Sequence, residues 1–407
     1  MACSFLREPS DRVIRSLQQV LAERQFPPVQ LIDMLITEDC NCRCDYCFIH
    51  GKRPKRMSEE IVKATVDFLL IKSQSLKDVE LLFLGGEPLL AFDLMQLAVD
   101  YGEFRSRCLG KRLTFAMTTN GTLFDDEKLR FCRDHGIRFL LSIDGDRETH
   151  NRHRKFADGR GSYDAVAGKI GLMKSYQPWM GARVTPTPEN TNRLVANIQH
   201  LYCLGINQFI VGPASGLGYS DEDAGVLQEQ LSILGDYYIE QVKAKAPFRL
   251  TLFEENLEER PGGKHNIWGC GAGRGRLSVS ASGEMQPCAK VQGLNGLAGI
   301  PLYSLGNVLT GFSGLEARRE FTTFHYDRRT ACHDCGLKDD CAGGCPAVNY
   351  QASGCIWLPD PGECKLTRVI LETKREIQRR LSGLSLAARG RTAGGKEGVR
   401  CCWSHRT

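Results

Sequence analysis

Six short apolar runs, each separated from the next by an amphipathic stretch, occupy residues 31–212 and limit the folds open to this chain. They are Leu31–Ile36, Val79–Leu84, Leu113–Met117, Phe139–Ile143, Ala182–Val184 and Phe209–Val211. Helix-like segments lie between them. One starts at Ser58, whose hydroxyl suits a cap and is followed by Glu59 and Glu60; others cover Asp125–His135 and Asn192–Leu204. Strands alternating with helices predict parallel pairing through right-handed crossovers. Six strands fall short of a closed eight-stranded barrel, so the expected fold class is α/β, with a partial (β/α)6 barrel over residues 28–250. Chemistry in such folds gathers at the C-terminal strand ends. The Cys40 loop, Gly85-Gly86-Glu87-Pro88, Thr119-Asn120-Gly121 and Ser142-Ile143-Asp144-Gly145 all follow strand ends and should meet on one face.

A long helical stretch from Ser220 to about Ala246 leads to a change of texture at Pro261-Gly262-Gly263. Residues 260–375 are loop-rich, with short strands and eight cysteines, and predict a small α+β domain. Residues 376–407 finish a helix and, from about Ala387, lose periodicity, so a mobile basic tail is expected; residues 1–27 form an N-terminal segment. A net charge of +5 is too mild to imply nucleic acid. No apolar run of about 18 residues predicts a membrane span, and the start has no signal-peptide core. A cytoplasmic protein is expected, and there 18 cysteines point to metal or redox chemistry rather than disulfides.

Cys40, Cys44 and Cys47, separated by three and then two residues, are spaced to converge on one inorganic cluster. A cubane [4Fe–4S] cluster has four irons, so three thiolates leave one free for a group that is not protein. Cys42 also permits a Cys42/Cys44/Cys47 set, and a zinc site has the same ingredients. Gly85-Gly86-Glu87-Pro88 offers close backbone approach and a carboxylate for an ammonium group. It also reads as a plain strand-to-helix turn with an N-terminal proline.

Taken together, the Cys40/Cys44/Cys47 loop with Tyr46 before its last cysteine, Gly85-Gly86-Glu87-Pro88, Thr118–Leu123, and Ser142-Ile143-Asp144-Gly145 with His150 and Arg154 resemble the radical S-adenosylmethionine (SAM) superfamily. The resemblance covers most of residues 30–375. It implies a [4Fe–4S] cluster whose open iron chelates SAM, and one-electron cleavage of SAM to a 5′-deoxyadenosyl radical that abstracts hydrogen from substrate. By the same resemblance Tyr46 backs the adenine, Gly85, Gly86 and Glu87 meet the methionine moiety, and Ser142 and Arg154 serve the ribose and carboxylate. Read without it, Ser142 is a turn residue and Arg154 a surface ion-pair partner.

The distal cysteines, Cys270, Cys288, Cys332, Cys335, Cys341, Cys345 and Cys364, read blind like a zinc ribbon. Their order is similar to the SPASM domain that follows some radical SAM cores. That resemblance implies two auxiliary [4Fe–4S] clusters, one on Cys270, Cys288 and Cys345, the other fully ligated by Cys332, Cys335, Cys341 and Cys364. Two departures separate the chain from anaerobic sulfatase-maturating enzymes. Arg276 stands where they add a fourth cysteine, and Ala289 where they place a catalytic aspartate. The first auxiliary cluster would then have an open iron, suited to a substrate thiolate, unless Cys355 or another residue fills it. Cys108, Cys132 and Cys203 are expected to be buried apolar residues of helices. Cys401 and Cys402 read as incidental members of the tail.

The implied function is maturation of a ribosomally made precursor peptide through a thioether or C–C crosslink. Modification of a protein side chain or of a small molecule is the alternative, as is a zinc-stabilised binding protein without catalysis. The implied partners are the peptide or protein substrate, an electron donor such as flavodoxin or ferredoxin, and a separate leader-peptide-binding protein. About 30 residues before the first strand are short of an independent module, so either that separate protein binds the leader or the barrel and SPASM surfaces recognise the substrate themselves. Gly212–Tyr219, at the sixth strand end, is a candidate substrate or SAM loop, or a flexible turn.

Overall fold

The computed structural model describes residues 25–49, 51–254, 270–298, 303–322, 329–341 and 343–389. The texture change at Pro261, the tail beyond Arg389, Cys3, Cys401 and Cys402 lie outside the described residues. The six expected strands are all present: β1 (Leu31–Thr37), β2 (Asp78–Gly85), β3 (Arg112–Thr119), β4 (Arg138–Ser142), β5 (Gly181–Val184) and β6 (Gln208–Val211). They pair in parallel in sequence order, and a two-residue β7 (Arg249–Leu250) extends the row. The result is an open, partial α/β barrel.

On the other edge the sheet continues into the cysteine-rich region. β8 (Arg276–Val279) pairs in parallel with β1, and β9 (Glu284–Gln286), β10 (Gly306–Asn307) and β11 (Gly311–Phe312) follow antiparallel. The turn at Gly283 joins β8 to β9 as a hairpin.

Four of the helices begin at side chains that satisfy their first N–H groups. α1 (Glu59–Lys72) is capped by Ser58, whose hydroxyl accepts from Ile61, and α2 is Phe92–Cys108. Asp125 caps α3 (Asp126–Asp134) and Asp146 caps α4 (Arg147–His153). α5 is Leu194–Cys203; α6 (Asp221–Lys243) opens with a Ser220/Asp223 capping box; α7 is Ala289–Ala298; α8 runs Pro361–Arg389.

The strands' alternation sorts their side chains to two faces. Met34, Phe83, Met117, Phe139, Leu141, Phe209 and Val211 join the helices in the main core. At about 1.5–3 kcal/mol per buried large side chain, this face dominates stability. The opposite face has only a small apolar layer, Leu82, Ala116, Leu140 and Ile210 with Leu31 against it. Apart from Leu35 and Leu84, which pack with Ile49 and Ala289, much of that face is polar, and it lines the barrel interior.

Two of the three helical cysteines differ from expectation. Cys132 is buried, but Cys108 and Cys203 are exposed. Each is the last residue of its helix, beyond the part that packs on the sheet.

Candidate functional site

The four strand-end motifs meet at the C-terminal rim. Asn120 ties three of them together: its Nδ2 donates to Asn41 Oδ1 at 2.8 Å, and its backbone N–H donates to Glu87 Oε2 at 2.8 Å. The first two loops touch through bare backbone. A Cβ on Gly86 would overlap the Asp39 carbonyl, and one on Gly85 the Thr37 carbonyl, so both glycines are demanded by strand packing as well as by any ligand. Gly86 and Glu87 donate to the Thr37 and Asp39 carbonyls at 2.9 and 2.8 Å, which anchors the residue before Cys40.

In the cysteine loop, the Cys42 backbone N–H donates to Cys40 Sγ at 3.3 Å, and the Cys40 N–H to Asp39 Oδ1 at 2.8 Å. The Cys42 thiol hydrogen bond draws the Cys40 pKa down to about 6 against the opposing effect of burial. The same bond and burial move Cys42 upward, and burial pushes Cys44 up to about 11. Lys52 lies half-buried beside the loop. Burial disfavours its charge, but Cys47, Cys40 and Cys44 outweigh burial and raise its pKa. The ammonium thus faces the Cys40/Cys44/Cys47 set, whereas Cys42 forms an isolated β-bridge with Phe156.

Glu87 is buried. Its Oε1 accepts from Thr119 Oγ1 at 2.7 Å and from the Leu89 N–H at 3.2 Å. Burial raises its pKa to about 7 despite the bonds from Asn120, Thr119 and Leu89. A buried carboxylate held this way gains from a cationic partner.

Arg154 and Asp144 form a buried fork. Arg154 Nε and Nη2 donate to Asp144 Oδ2 and Oδ1 at 2.8 and 3.1 Å, and the Thr185 N–H donates to Oδ1 at 3.0 Å. Burial would raise the Asp144 pKa, but the Arg154 guanidinium holds it below the usual carboxylate value. The Tyr46 hydroxyl also donates to Asp144, and the Tyr46 ring lies 5.3 Å from the Arg154 guanidinium. Sequence reasoning assigned Arg154 to a ligand carboxylate; two of its nitrogens are instead spent within the protein, while Nη1 makes no hydrogen bond among the described residues. Ser142 Oγ likewise has no partner among the described residues.

His153 was missed by the sequence reading. Its Nδ1 meets Asp45 Oδ2 at 2.9 Å and its Nε2 meets Thr187 Oγ1 at 3.0 Å, clamping the cysteine loop to the β5 end. His150 Nε2 meets Ser162 Oγ at 2.9 Å, and burial lowers its pKa to about 3.

Cys270, Cys288 and Cys345 lie near one another, and so do Cys332, Cys335, Cys341 and Cys364. Burial first, then Cys270 and Cys345, push Cys288 up to about 12, and Cys345 adds to burial at Cys270. Burial and then Cys341, Cys332 and Cys335 push Cys364 up to about 11. Cys355 packs on the same apolar patch as the first set. All fifteen described cysteines are free. Among the described residues, no three His, Cys, Asp or Glu side chains are drawn tightly enough to hold a single metal ion.

Arg276, where a fourth cysteine stands in the sulfatase-maturase pattern, forks onto buried Asp33 of β1 at 2.8 and 2.7 Å. Ala289 packs with Leu35, Ile49 and Cys47, so an apolar contact joins the Cys288 loop to the Cys47 loop.

Residues 34–201 match the radical SAM superfamily. The chain is 24% identical over 347 residues to a serine-type anaerobic sulfatase-maturating enzyme of Bacteroides thetaiotaomicron, covering 77% of this chain and 81% of the relative. Its fold is similar to that of native anSMEcpe with bound AdoMet, with a TM-score of 0.71 at 20% identity over 88% of this chain and 100% of that one. It is also similar to Streptococcus suis SuiB bound to its precursor peptide SuiA, with a TM-score of 0.58 at 16% identity over 89% and 84% of the two chains. This protein therefore carries a radical SAM domain. No described helix is long and apolar enough to cross a membrane.

Proposed function

We propose that the protein is a radical SAM/SPASM enzyme that crosslinks a ribosomally made peptide through a thioether or C–C bond. The observation that carries this reading is the sorting of ten cysteines into one set of three at the rim and sets of three and four in the β8–α8 region. The donors fit the implied cofactors: soft thiols for [4Fe–4S] clusters, buried Glu87 for the amino group of SAM, and the Ser142 hydroxyl, unpartnered among the described residues. When bound, SAM and its cluster supply hydrogen-atom abstraction.

The protein's own residues hold and orient. Cys40, Cys44 and Cys47 ligate the first cluster, and Lys52 offsets its negative charge. Gly86 fixes the spacing between the cysteine loop and Glu87. Asp144 and Arg154 hold Tyr46 as a rigid wall for the adenine. Cys270, Cys288 and Cys345 hold one auxiliary cluster, and Cys332, Cys335, Cys341 and Cys364 the other. SuiB was solved with a precursor peptide, which supports a peptide as substrate. Free thiols at all fifteen described cysteines suit a cytoplasmic enzyme fed by a flavodoxin or ferredoxin.

The sulfatase-maturase relative favours a second reading, modification of a protein side chain. Against it stand Arg276 and Ala289, which supply neither the extra thiolate nor the proton acceptor. Co-expression with a short peptide encoded beside the gene tests the choice: loss of two hydrogens from that peptide supports crosslinking. An unmodified peptide together with formylglycine on a co-expressed sulfatase would overturn it.

A further inference from the structure

Cys42 is the one cysteine of the rim loop for which the arrangement above has no use. It is 1% exposed, and a buried free cysteine is ordinarily a small apolar filler. Cys132 fits that description and belongs to the main core. Cys42 belongs to none of the apolar clusters among the described residues. Its sulfur lies instead among polar groups, with Cys40, Cys44 and Glu87 near it.

The backbone fixes that placement. Cys42 pairs antiparallel with Phe156. On either side the Arg43 N–H donates to the Lys155 carbonyl at 2.7 Å, and the Ala157 N–H to the Asn41 carbonyl at 3.0 Å. This short ladder leaves Arg43 exposed and turns Cys42 inward.

The sulfur belongs to a directed chain of hydrogen bonds. Asn120 Nδ2 donates to Cys42 Sγ at 3.5 Å, and the Cys42 thiol is hydrogen-bonded to Cys40 Sγ. An amide N–H only donates, so Cys42 Sγ accepts from Asn120 and its own hydrogen is left to point at Cys40. The Cys42 backbone N–H reaches the same Cys40 sulfur at 3.3 Å, and Asn120 Nδ2 lies 3.9 Å from it. Cys40 Sγ thus receives two donors from one residue, with Asn120 behind them.

We infer that the Cys42 thiol tunes the first cluster: its hydrogen donates to the ligating sulfur of Cys40 and raises the cluster's reduction potential. This deepens the radical SAM reading and rests on it for Cys40 being a ligand. One-electron reduction adds negative charge to a cluster and its sulfurs, and a donor to a ligating sulfur favours the more negative state. The electron comes from a carrier of the flavodoxin or ferredoxin class, and no bond of Cys42 forms or breaks. The result is a cluster that a weaker reductant can reduce. Cys42 acts through Cys40 and is a positioning residue.

Redox titration of the cluster-loaded full chain without SAM, followed by electron paramagnetic resonance, tests this. The first cluster's signal is the component missing from the Cys40→Ala/Cys44→Ala/Cys47→Ala variant. Cys42→Ala should cut the ratio of reduced to oxidised first cluster at a fixed potential by about threefold or more. That is a downward shift of about 28 mV or more, at about 59 mV per tenfold for one electron. Cys42→Ser keeps a hydroxyl donor and should recover most of the shift. Cys42→Val removes the donor while filling the space, and answers the same question if the alanine variant loads poorly. An unchanged potential in a loaded alanine or valine variant overturns the inference. An equal shift in the serine variant also overturns it, because packing rather than a donor would then set the potential. Loss of about four irons from Cys42→Ala and none from Cys40→Ala would make Cys42 the ligand, and overturns it as well. Failure to form 5′-deoxyadenosine with dithionite would instead sink the radical SAM reading, and leaves the potentials interpretable.

Discussion

Glu87 has its ordinary value of 4.5 raised to about 7 by burial, so its protonated form favours the folded state. Its contribution to stability is therefore present below about pH 4.5 and is lost as the pH rises through about 7. The N–H groups of the SAM amine placed against it reverse that preference, because the carboxylate accepts them with both oxygens whereas the protonated carboxyl does not. SAM binding should strengthen as pH rises through about 7, Glu87 contributing up to about tenfold per unit, and deprotonation of the SAM amine adds to the slope up to about pH 8. Glu87→Gln should weaken binding at pH 8 and flatten the profile. Equilibrium dialysis between pH 5.5 and 8.5 measures both, and an unchanged slope in the variant would contradict the assignment. At this scale the sequence was informative wherever a residue's role follows from local spacing. The cysteine triplet and Glu87 are such cases. Lys52 and His153 are not, because their partners lie across strands or loops and depend on register. Arg154 was identified, yet its fork onto Asp144 was invisible without the depth at which both are buried.

The β1 and β2 ends form one unit, in which backbone meets backbone at Asp39 and Gly86. Gly86→Ala should force the loops apart, at a cost of about 1–3 kcal/mol, and reduce iron at the first cluster while sparing the others. Thermal melts and iron content check this; a variant with full iron would show that the close approach is not needed. The Asp33–Arg276 fork joins β1 to β8 across a separation of 243 residues. Asp33→Asn leaves a guanidinium without its counter-charge and should cost about 3 kcal/mol in urea unfolding. The double variant Asp33→Leu/Arg276→Met should lose less than the single one. Equal losses would indicate that the charges are not coupled. The six barrel strands were legible because each carries a run of apolar residues between turn signals. The short β7, β10 and β11, of two residues each, have no period to read, and the pairing of β8 with β1 is a tertiary event. α8 continues to Arg389, past the point where the sequence loses its apolar repeat.

Across the whole molecule, one continuous sheet carries the rim cysteines on β1's loop and, on the adjoining β8 and β9, the hairpin that leads to the auxiliary sets. Ala289 joins the two regions through Cys47 and Ile49. The architecture could be anticipated, because the alternation of strands and helices is a local property of the chain, whereas the grouping of the distal cysteines followed only from resemblance to the SPASM domain. What the chain acts on could not be anticipated, because a substrate is read by a cavity that forms only after folding. The central claim is that ten thiols hold three cubanes. It is tested most directly by iron and sulfide analysis of anaerobically reconstituted protein. The expected values are about twelve irons per chain, about eight in the Cys40→Ala/Cys44→Ala/Cys47→Ala variant, and about twelve in Cys42→Ala. A colourless zinc protein, or a triple variant with undiminished iron, would contradict the account.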